Sequence, residues 1–241
     1  MTSPPSFGAR IVAVLRTLTF QIVFYSATVV GAVIGLVVSL FGRRALRAFG
    51  MAWVRFHGWC VRHILGIRTR IEGEVPQGAV LVAAKHQSYL DPLALIRILH
   101  APAAVMKRQL ADIPLWGRLA RIYGAISVDR SGGAAALRRM MKEAEEAKDE
   151  GRSILIFPEG TRVLPGGTPK LQAGFAGLYR RIGLPVVPVA LDTGRLWPRH
   201  GLARHSGTVV IRFGKPLPPG LSREELERRV HEEINALEQA A

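Results

Sequence analysis

A stretch without any charged side chain, residues 17–42, is the feature that most restricts how this chain can fold. As a helix it would be roughly 39 Å long at about 1.5 Å per residue, enough to cross a hydrocarbon core of about 30 Å. Three basic residues follow it closely: Arg43, Arg44 and Arg47. A cleaved signal peptide has a shorter apolar region and a small-residue cleavage site outside it. The pattern therefore predicts a retained membrane segment.

The next segment, residues 45–67, mixes tryptophan and phenylalanine with arginine. This mixture is typical of an amphipathic helix at the membrane interface. We therefore expect residues 1–67 to form an N-terminal membrane anchor made of a helix pair, followed by one folded domain in residues 68–241. Basic residues flank both sides of the apolar stretch, so the charges leave open whether it spans the membrane or re-enters it.

From residue 68 onward, short β-branched runs alternate with helical patterns, which indicates an α/β domain. Several runs are almost entirely apolar, so the strands are expected to be buried on both faces of a central mainly parallel or mixed sheet flanked by helices. Pro188 predicts an edge position, or the beginning of its strand. The predicted strands are 70–74, 80–84, 103–107, 125–128, 153–157, 186–191 and 208–213. The predicted helices are 92–99, 114–123, 134–150, 175–182 and 222–239.

The net charge of +15 favours anionic partners. The basic residues are scattered singly and in pairs, without the dense block that nucleic-acid arms use, so we expect no nucleic acid as a partner. An anionic membrane surface or a phosphorylated substrate fits better. The single cysteine, Cys60, cannot form an internal disulfide, which fits a reducing compartment.

Two polar residues five positions apart, His86 and Asp91, follow the apolar run 80–84. Loops at strand ends present reactive groups, and a carboxylate at this distance can fold back to orient the imidazole as a general base. Proline favours the first helical turn, so Asp91 also reads as the N-cap of the helix that begins at Pro92. The spacing alone leaves open whether Asp91 serves only as that cap.

A second polar run, from Glu159 to Arg162, follows the apolar strand 153–157. Its arginine can bind a phosphate group with two hydrogen bonds, although a surface turn with an ion pair would show the same pattern. Arg130, after another strand, could add a second phosphate contact. The sequence contains no nucleophile elbow, phosphate-binding loop or dinucleotide fingerprint, and its histidines lack metal-ligand spacing. We therefore predict no metal and no cofactor.

Taken together, four runs in this order resemble the glycerolipid acyltransferase family that includes the 1-acylglycerol-3-phosphate O-acyltransferases. They are His86 to Asp91, Gly124 to Arg130, Phe157 to Arg162, and the apolar run around Pro188. The resemblance covers about residues 80–195. It implies catalysis by His86 and Asp91, and substrate binding by Gly124, Arg130, Glu159, Gly160, Thr161, Arg162, Lys170 and Pro188. Lys85 departs from the family, which commonly has asparagine there.

The resemblance implies transfer of a fatty acyl group from acyl-CoA or acyl-carrier protein to the 2-hydroxyl of lysophosphatidic acid. The catalytic domain would then face the cytoplasm at the inner cell membrane. Two alternatives stay open at this point. One is an acyltransferase with another acceptor, such as glycerol-3-phosphate, another lysophospholipid or a lyso-aminolipid. The other is a non-catalytic membrane adaptor, in which the histidine and aspartate would be dispensable.

Overall fold

The computed structural model describes residues 7–129 and 132–238. Within those residues, seven strands form one mixed sheet in the order β1-β7-β6-β2-β5-β3-β4. The strands are β1 (Ile67–Glu72), β2 (Leu81–Ala84), β3 (Ala103–Lys107), β4 (Ile126–Val128), β5 (Ile154–Ile156), β6 (Val186–Leu191) and β7 (Gly207–Phe213). Adjacent strands are parallel except β6 and β7, which are antiparallel.

Helices cover both faces of this sheet. They are α1 (Phe7–Ser39), α2 (Arg43–His63), α3 (Leu90–Ile98), α4 (Arg108–Ala111), α5 (Trp116–Tyr123), α6 (Gly133–Asp149), α7 (Ala173–Ile182) and α8 (Arg223–Ile234). Side chains alternate between the faces along β2, as a strand requires. Val82 joins a core cluster with residues of α1, α2 and α3, whereas Leu81 joins a second cluster with residues of α6, α7 and α8. The predicted α/β fold class is confirmed.

Two local predictions were wrong. Asp91 is not the N-cap of α3, because the helix begins at Leu90 and Asp91 lies inside its first turn. Its carboxylate instead turns back to the loop before the helix. Pro188 is the third of the six residues of β6, an interior strand between β2 and β7. The β6–β7 ladder begins only at Val189, so the missing N–H of Pro188 interrupts no ladder hydrogen bond. The Pro188 carbonyl still accepts a hydrogen bond from Gly214 N–H at 2.8 Å.

Helix α1 is the one described helix that is long and apolar enough to cross a membrane, with a mean hydropathy of 2.2 over its most apolar window. One side of it packs on the domain. Phe20 is buried and meets Trp197 edge to face, with ring centroids 5.4 Å apart. The other side exposes a row of apolar residues that includes Ile22, Val29 and Val33. Such a surface is typical of contact with lipid.

Helix α2 packs against α1, α3 and β1. His57 of α2 is buried against Phe20, Phe24 and Trp197. Burial, with the nearby charge of Arg97 as a second cause, lowers the pKa of His57 to about 4. Residues of both N-terminal helices thus share a core cluster with the sheet. The division of the chain near residue 68 stays a prediction.

Candidate active site

The candidate site lies where three neighbouring parallel strands end. His86 follows β2, Glu159 follows β5, and Thr193 follows β6. Because β2 lies between β5 and β6, the carboxyl ends of these strands meet at one edge of the sheet. Open α/β sheets commonly bind ligands at this edge. The first two segments were predicted to contribute to one site, and the structure brings them together.

His86 and Asp91 form a hydrogen-bonded pair. The distance from His86 Nδ1 to Asp91 Oδ2 is 2.9 Å, and Asp91 is fully buried whereas His86 is partly exposed. A carboxylate accepts hydrogen bonds, so we assign the proton to Nδ1, which leaves the lone pair on Nε2. The His86 ring also stacks on Phe157, with centroids 4.2 Å apart. The imidazole is therefore held in one orientation with Nε2 as its available acceptor.

Four further hydrogen bonds fix the Asp91 carboxylate. Its Oδ2 accepts the backbone N–H groups of Gln87 at 2.7 Å and Ser88 at 2.8 Å. Its Oδ1 accepts the hydroxyls of Ser88, at 2.9 Å, and Thr193. With the bond from His86, five donors hold both carboxylate oxygens. Asp91 thus stabilises the loop and orients the imidazole at the same time.

The backbone of His86 is held on both sides by the segment after β5. Its N–H donates to Glu159 Oε2 at 3.1 Å, and its carbonyl accepts Val163 N–H at 2.7 Å. Glu159 is buried, and its Oε1 accepts a hydrogen bond from Lys85 Nζ at 2.8 Å. Burial raises the pKa of the Glu159 carboxyl, and the hydrogen bond and charge of Lys85 oppose that shift. Glu159 therefore supports the loop of His86 from inside the protein.

Arg162 lies beside the same loop on its outer side. The Arg162 guanidinium carbon is 3.9 Å from the centroid of the Tyr89 ring, a cation–π contact. Across the described ranges, no carboxylate lies within ion-pair distance of Arg162. Gly160 adopts a left-handed conformation in the turn, with φ 75°, and Thr161 and Lys170 are exposed. The position of Arg162 is compatible with an anionic ligand next to His86.

Two other predicted residues, Gly124 and Pro188, do not contact His86 in the part of the chain that the structure describes. Gly124 ends α5 with φ 87° and precedes β4, so it lies at the opposite edge of the sheet, where its carbonyl accepts from Arg152. Pro188 is buried within β6. Arg130 lies outside the described residues. A role of these residues in substrate binding stays a prediction, and the position of Gly124 does not support it.

Sequence reasoning missed the polar residues that support the pair. Thr193 and Gly194 follow β6, where Thr193 donates to Asp91 and Gly194 N–H donates to the side chain of Gln87 at 2.9 Å. A threonine two positions after an apolar strand was a usable signal, because residues at the ends of parallel strands meet at one edge of a sheet. Ser88, between His86 and Asp91, was visible in the motif but was given no role. Within residues 7–129 and 132–238, no group of three potential ligands is suited to a metal ion.

A histidine oriented by a buried carboxylate, with its second nitrogen open, can remove a proton from a hydroxyl group. Comparison with known proteins agrees with this chemistry. The sequence model of the family described as Acyltransferase matches residues 66–192. This range contains His86, Asp91, Glu159 and Arg162, but it excludes α1, α2 and α8.

Relatives from distant organisms are similar over most of the chain. A 1-acyl-sn-glycerol-3-phosphate acyltransferase from Pseudomonas aeruginosa is 32% identical, over 84% of this chain and 80% of the relative. The protein of the same name from Saccharomyces cerevisiae is 26% identical, over 86% and 70%. The crystal structure of the 1-acyl-sn-glycerophosphate (LPA) acyltransferase, PlsC, from Thermotoga maritima matches with a TM-score of 0.75 and 25% identity, over 94% and 96% of the two chains.

Proposed function

The chain belongs to the acyltransferase family, and from this premise we propose that it moves an acyl group from a thioester to the 2-hydroxyl of 1-acylglycerol-3-phosphate, giving phosphatidic acid. The observation that carries the proposal is the His86–Asp91 pair at the carboxyl edge of the sheet. The names of the relatives from Pseudomonas aeruginosa and Saccharomyces cerevisiae support the choice of acceptor.

In this mechanism His86 Nε2 removes the proton of the acceptor hydroxyl while its oxygen attacks the thioester carbonyl. The carbon–sulfur bond then breaks, and the departing sulfur takes the proton from the His86 imidazolium and leaves as a thiol. The imidazole becomes positively charged during the first step. Asp91 stabilises that charge because its carboxylate lies 2.9 Å from Nδ1 and its buried oxygens are fixed by other donors. No nucleophile from the protein is required.

Arg162 is proposed to bind the acceptor phosphate, with Arg130 as a second contact. The guanidinium lies next to the loop that carries His86, and it can donate two parallel hydrogen bonds to phosphate oxygens. A hydrogen bond to a charged group contributes about 1.5–3 kcal/mol. Replacing Arg162 by alanine should therefore raise the acceptor KM by about tenfold or more, while Arg162→Lys retains part of the affinity. An unchanged KM in the alanine variant would remove Arg162 from the binding site.

The N-terminal helices support a location at the membrane, where the acceptor resides. We propose that the exposed apolar side of α1 contacts lipid and that the basic surface holds the domain against anionic headgroups on the cytoplasmic side of the inner membrane. Each Lys or Arg near such a surface contributes about 1 kcal/mol. The donor is proposed to be acyl-CoA or acyl-carrier protein.

The direct test is acyl transfer from radiolabelled donors by the full-length protein in detergent. His86→Ala should lower kcat by about 10²–10⁴-fold, because a general base contributes that much. His100→Asn is the matched control, since His100 is exposed and lies after α3, away from the site. Both donors should be tested with 1-acylglycerol-3-phosphate, glycerol-3-phosphate and a lysophospholipid with a larger headgroup. Near-normal activity of His86→Ala would contradict the mechanism, and preference for another acceptor would contradict the substrate.

A further inference from the structure

The turn that follows α8 contacts the loop that carries His86 on its buried side. Lys85 is fully buried, and its ammonium donates to Glu159 Oε1, Asn235 Oδ1 and the Gly167 carbonyl, at 2.8, 2.6 and 2.5 Å. An ammonium has three N–H donors, and all three are used. A buried charge is tolerated only with such compensation, so Asn235 is part of what keeps Lys85 in place.

The same turn contacts the residue on the other side of His86. Glu238 accepts hydrogen bonds from the side-chain amide of Gln87 and from Gly166 N–H. Its carboxylate also lies 4.0 Å from Lys85 Nζ. Asn235 and Glu238 therefore contact residues 85 and 87, which flank His86 in the sequence. Both lie outside the matched region of the family, residues 66–192.

These contacts reach His86 itself through one buried carboxylate. Lys85 pairs with Glu159 Oε1, and Glu159 Oε2 accepts the N–H of His86. If Lys85 loses its partners, the buried Glu159 carboxylate loses its counter-charge and the His86 N–H loses its fixed acceptor. An error of about 1 Å in the position of a catalytic group can cost about 10²-fold in rate.

We propose that Lys85, Asn235 and Glu238 form a C-terminal clasp whose role is to position His86 for catalysis. The inference rests on the proposed function, because it assigns these residues to the same reaction. The three act through the backbone of the His86 loop and touch no substrate, so they are positioning residues. The lysine side chain at position 85 is long enough to join Glu159 to the turn after α8.

Glu238→Gln in the full-length protein is the primary test. The amide group keeps the size of the side chain but replaces one acceptor oxygen by a donor, so it cannot accept from both Gln87 and Gly166. We expect kcat to fall about tenfold or more while both KM values change less than about twofold. Asn235→Ala and Lys85→Met should act in the same direction. The control is Glu232→Gln, which makes the same charge change at an exposed α8 residue paired with Arg228.

A second measurement does not depend on turnover. The modification of His86 by diethyl pyrocarbonate, followed by mass spectrometry across pH, reports the exposure and protonation of its ring. In Glu238→Gln the pH dependence of His86 modification should differ from that of the wild type, and in Glu232→Gln the two should match. An unchanged profile together with unchanged kcat would overturn the clasp, even if the protein melts at a lower temperature. The activity of His86→Ala tests the proposed function. The modification of His86 in Glu238→Gln tests the clasp, and its result does not depend on the activity of His86→Ala.

Discussion

Replacing Asp91 by alanine or by asparagine should separate its effect on folding from its effect on rate. Alanine leaves the buried N–H groups of Gln87 and Ser88 without an acceptor. Each unsatisfied donor costs about 1–3 kcal/mol, so the free energy of unfolding should fall by roughly 2–6 kcal/mol. In asparagine, the amide oxygen can take the place of Oδ2. The amide nitrogen then faces the hydroxyls of Ser88 and Thr193, which can rotate to accept. Asparagine should therefore cost much less stability than alanine.

The effect of asparagine on rate has a different origin. An amide oxygen next to His86 Nδ1 keeps the imidazole in the productive tautomer but removes the negative charge that stabilises the imidazolium. We expect kcat to fall about 10²-fold, which corresponds to about 2.7 kcal/mol of transition-state stabilisation. Thermal unfolding in detergent and kcat with 1-acylglycerol-3-phosphate measure the two effects. The reasoning is refuted if Asp91→Asn melts as low as Asp91→Ala, or if its kcat stays within about threefold of the wild type.

Three further predictions concern parts of the molecule outside the catalytic pair. His57 has a pKa of about 4 in the folded protein and about 6.5 in the unfolded chain. The free energy of unfolding is therefore retained above about pH 6.5 and falls by up to about 3 kcal/mol as the pH drops towards 4. His57→Phe should flatten this pH dependence in thermal melts. Phe20→Ala should lower the free energy of unfolding in detergent by about 3–5 kcal/mol, because it removes the ring of α1 that packs against Trp197. A loss below about 1 kcal/mol would show that α1 does not pack at this position. Gly124→Ala should lower the free energy of unfolding by about 1–2 kcal/mol, because φ is 87° and a Cβ atom would lie 2.5 Å from the Arg152 guanidinium. The acceptor KM should stay unchanged, and a raised KM would support the predicted role of Gly124 in substrate binding.

Much of the fold could be predicted because its signals are local. The runs that became β3 and β6 were located with their observed bounds. β6 is buried along its whole length, and such a strand needs a continuous apolar segment. The start of α8 was also found, because the Ser222 hydroxyl accepts the Glu225 N–H as an N-cap side chain does. The end of α8 was not found: the helix stops at Ile234 instead of continuing to about residue 239. The polar residues beyond that point bind other parts of the chain, which no local pattern records.

The sequence by itself determined which chemistry is available: a long apolar segment, and a histidine five residues before an aspartate at the end of a buried strand. Those properties depend on neighbours along the chain. Only the tertiary structure decided what each polar residue contacts, because strand order brings residues 86, 159 and 193 to one edge and leaves Gly124 at the other. In the folded protein Asp91 accepts hydrogen bonds from five donors and is not a helix cap, and the buried Glu159 carboxylate pairs with Lys85. A buried charge requires partners close in space, and here the residues that accept hydrogen bonds from the Lys85 ammonium lie 74 to 150 positions away along the chain.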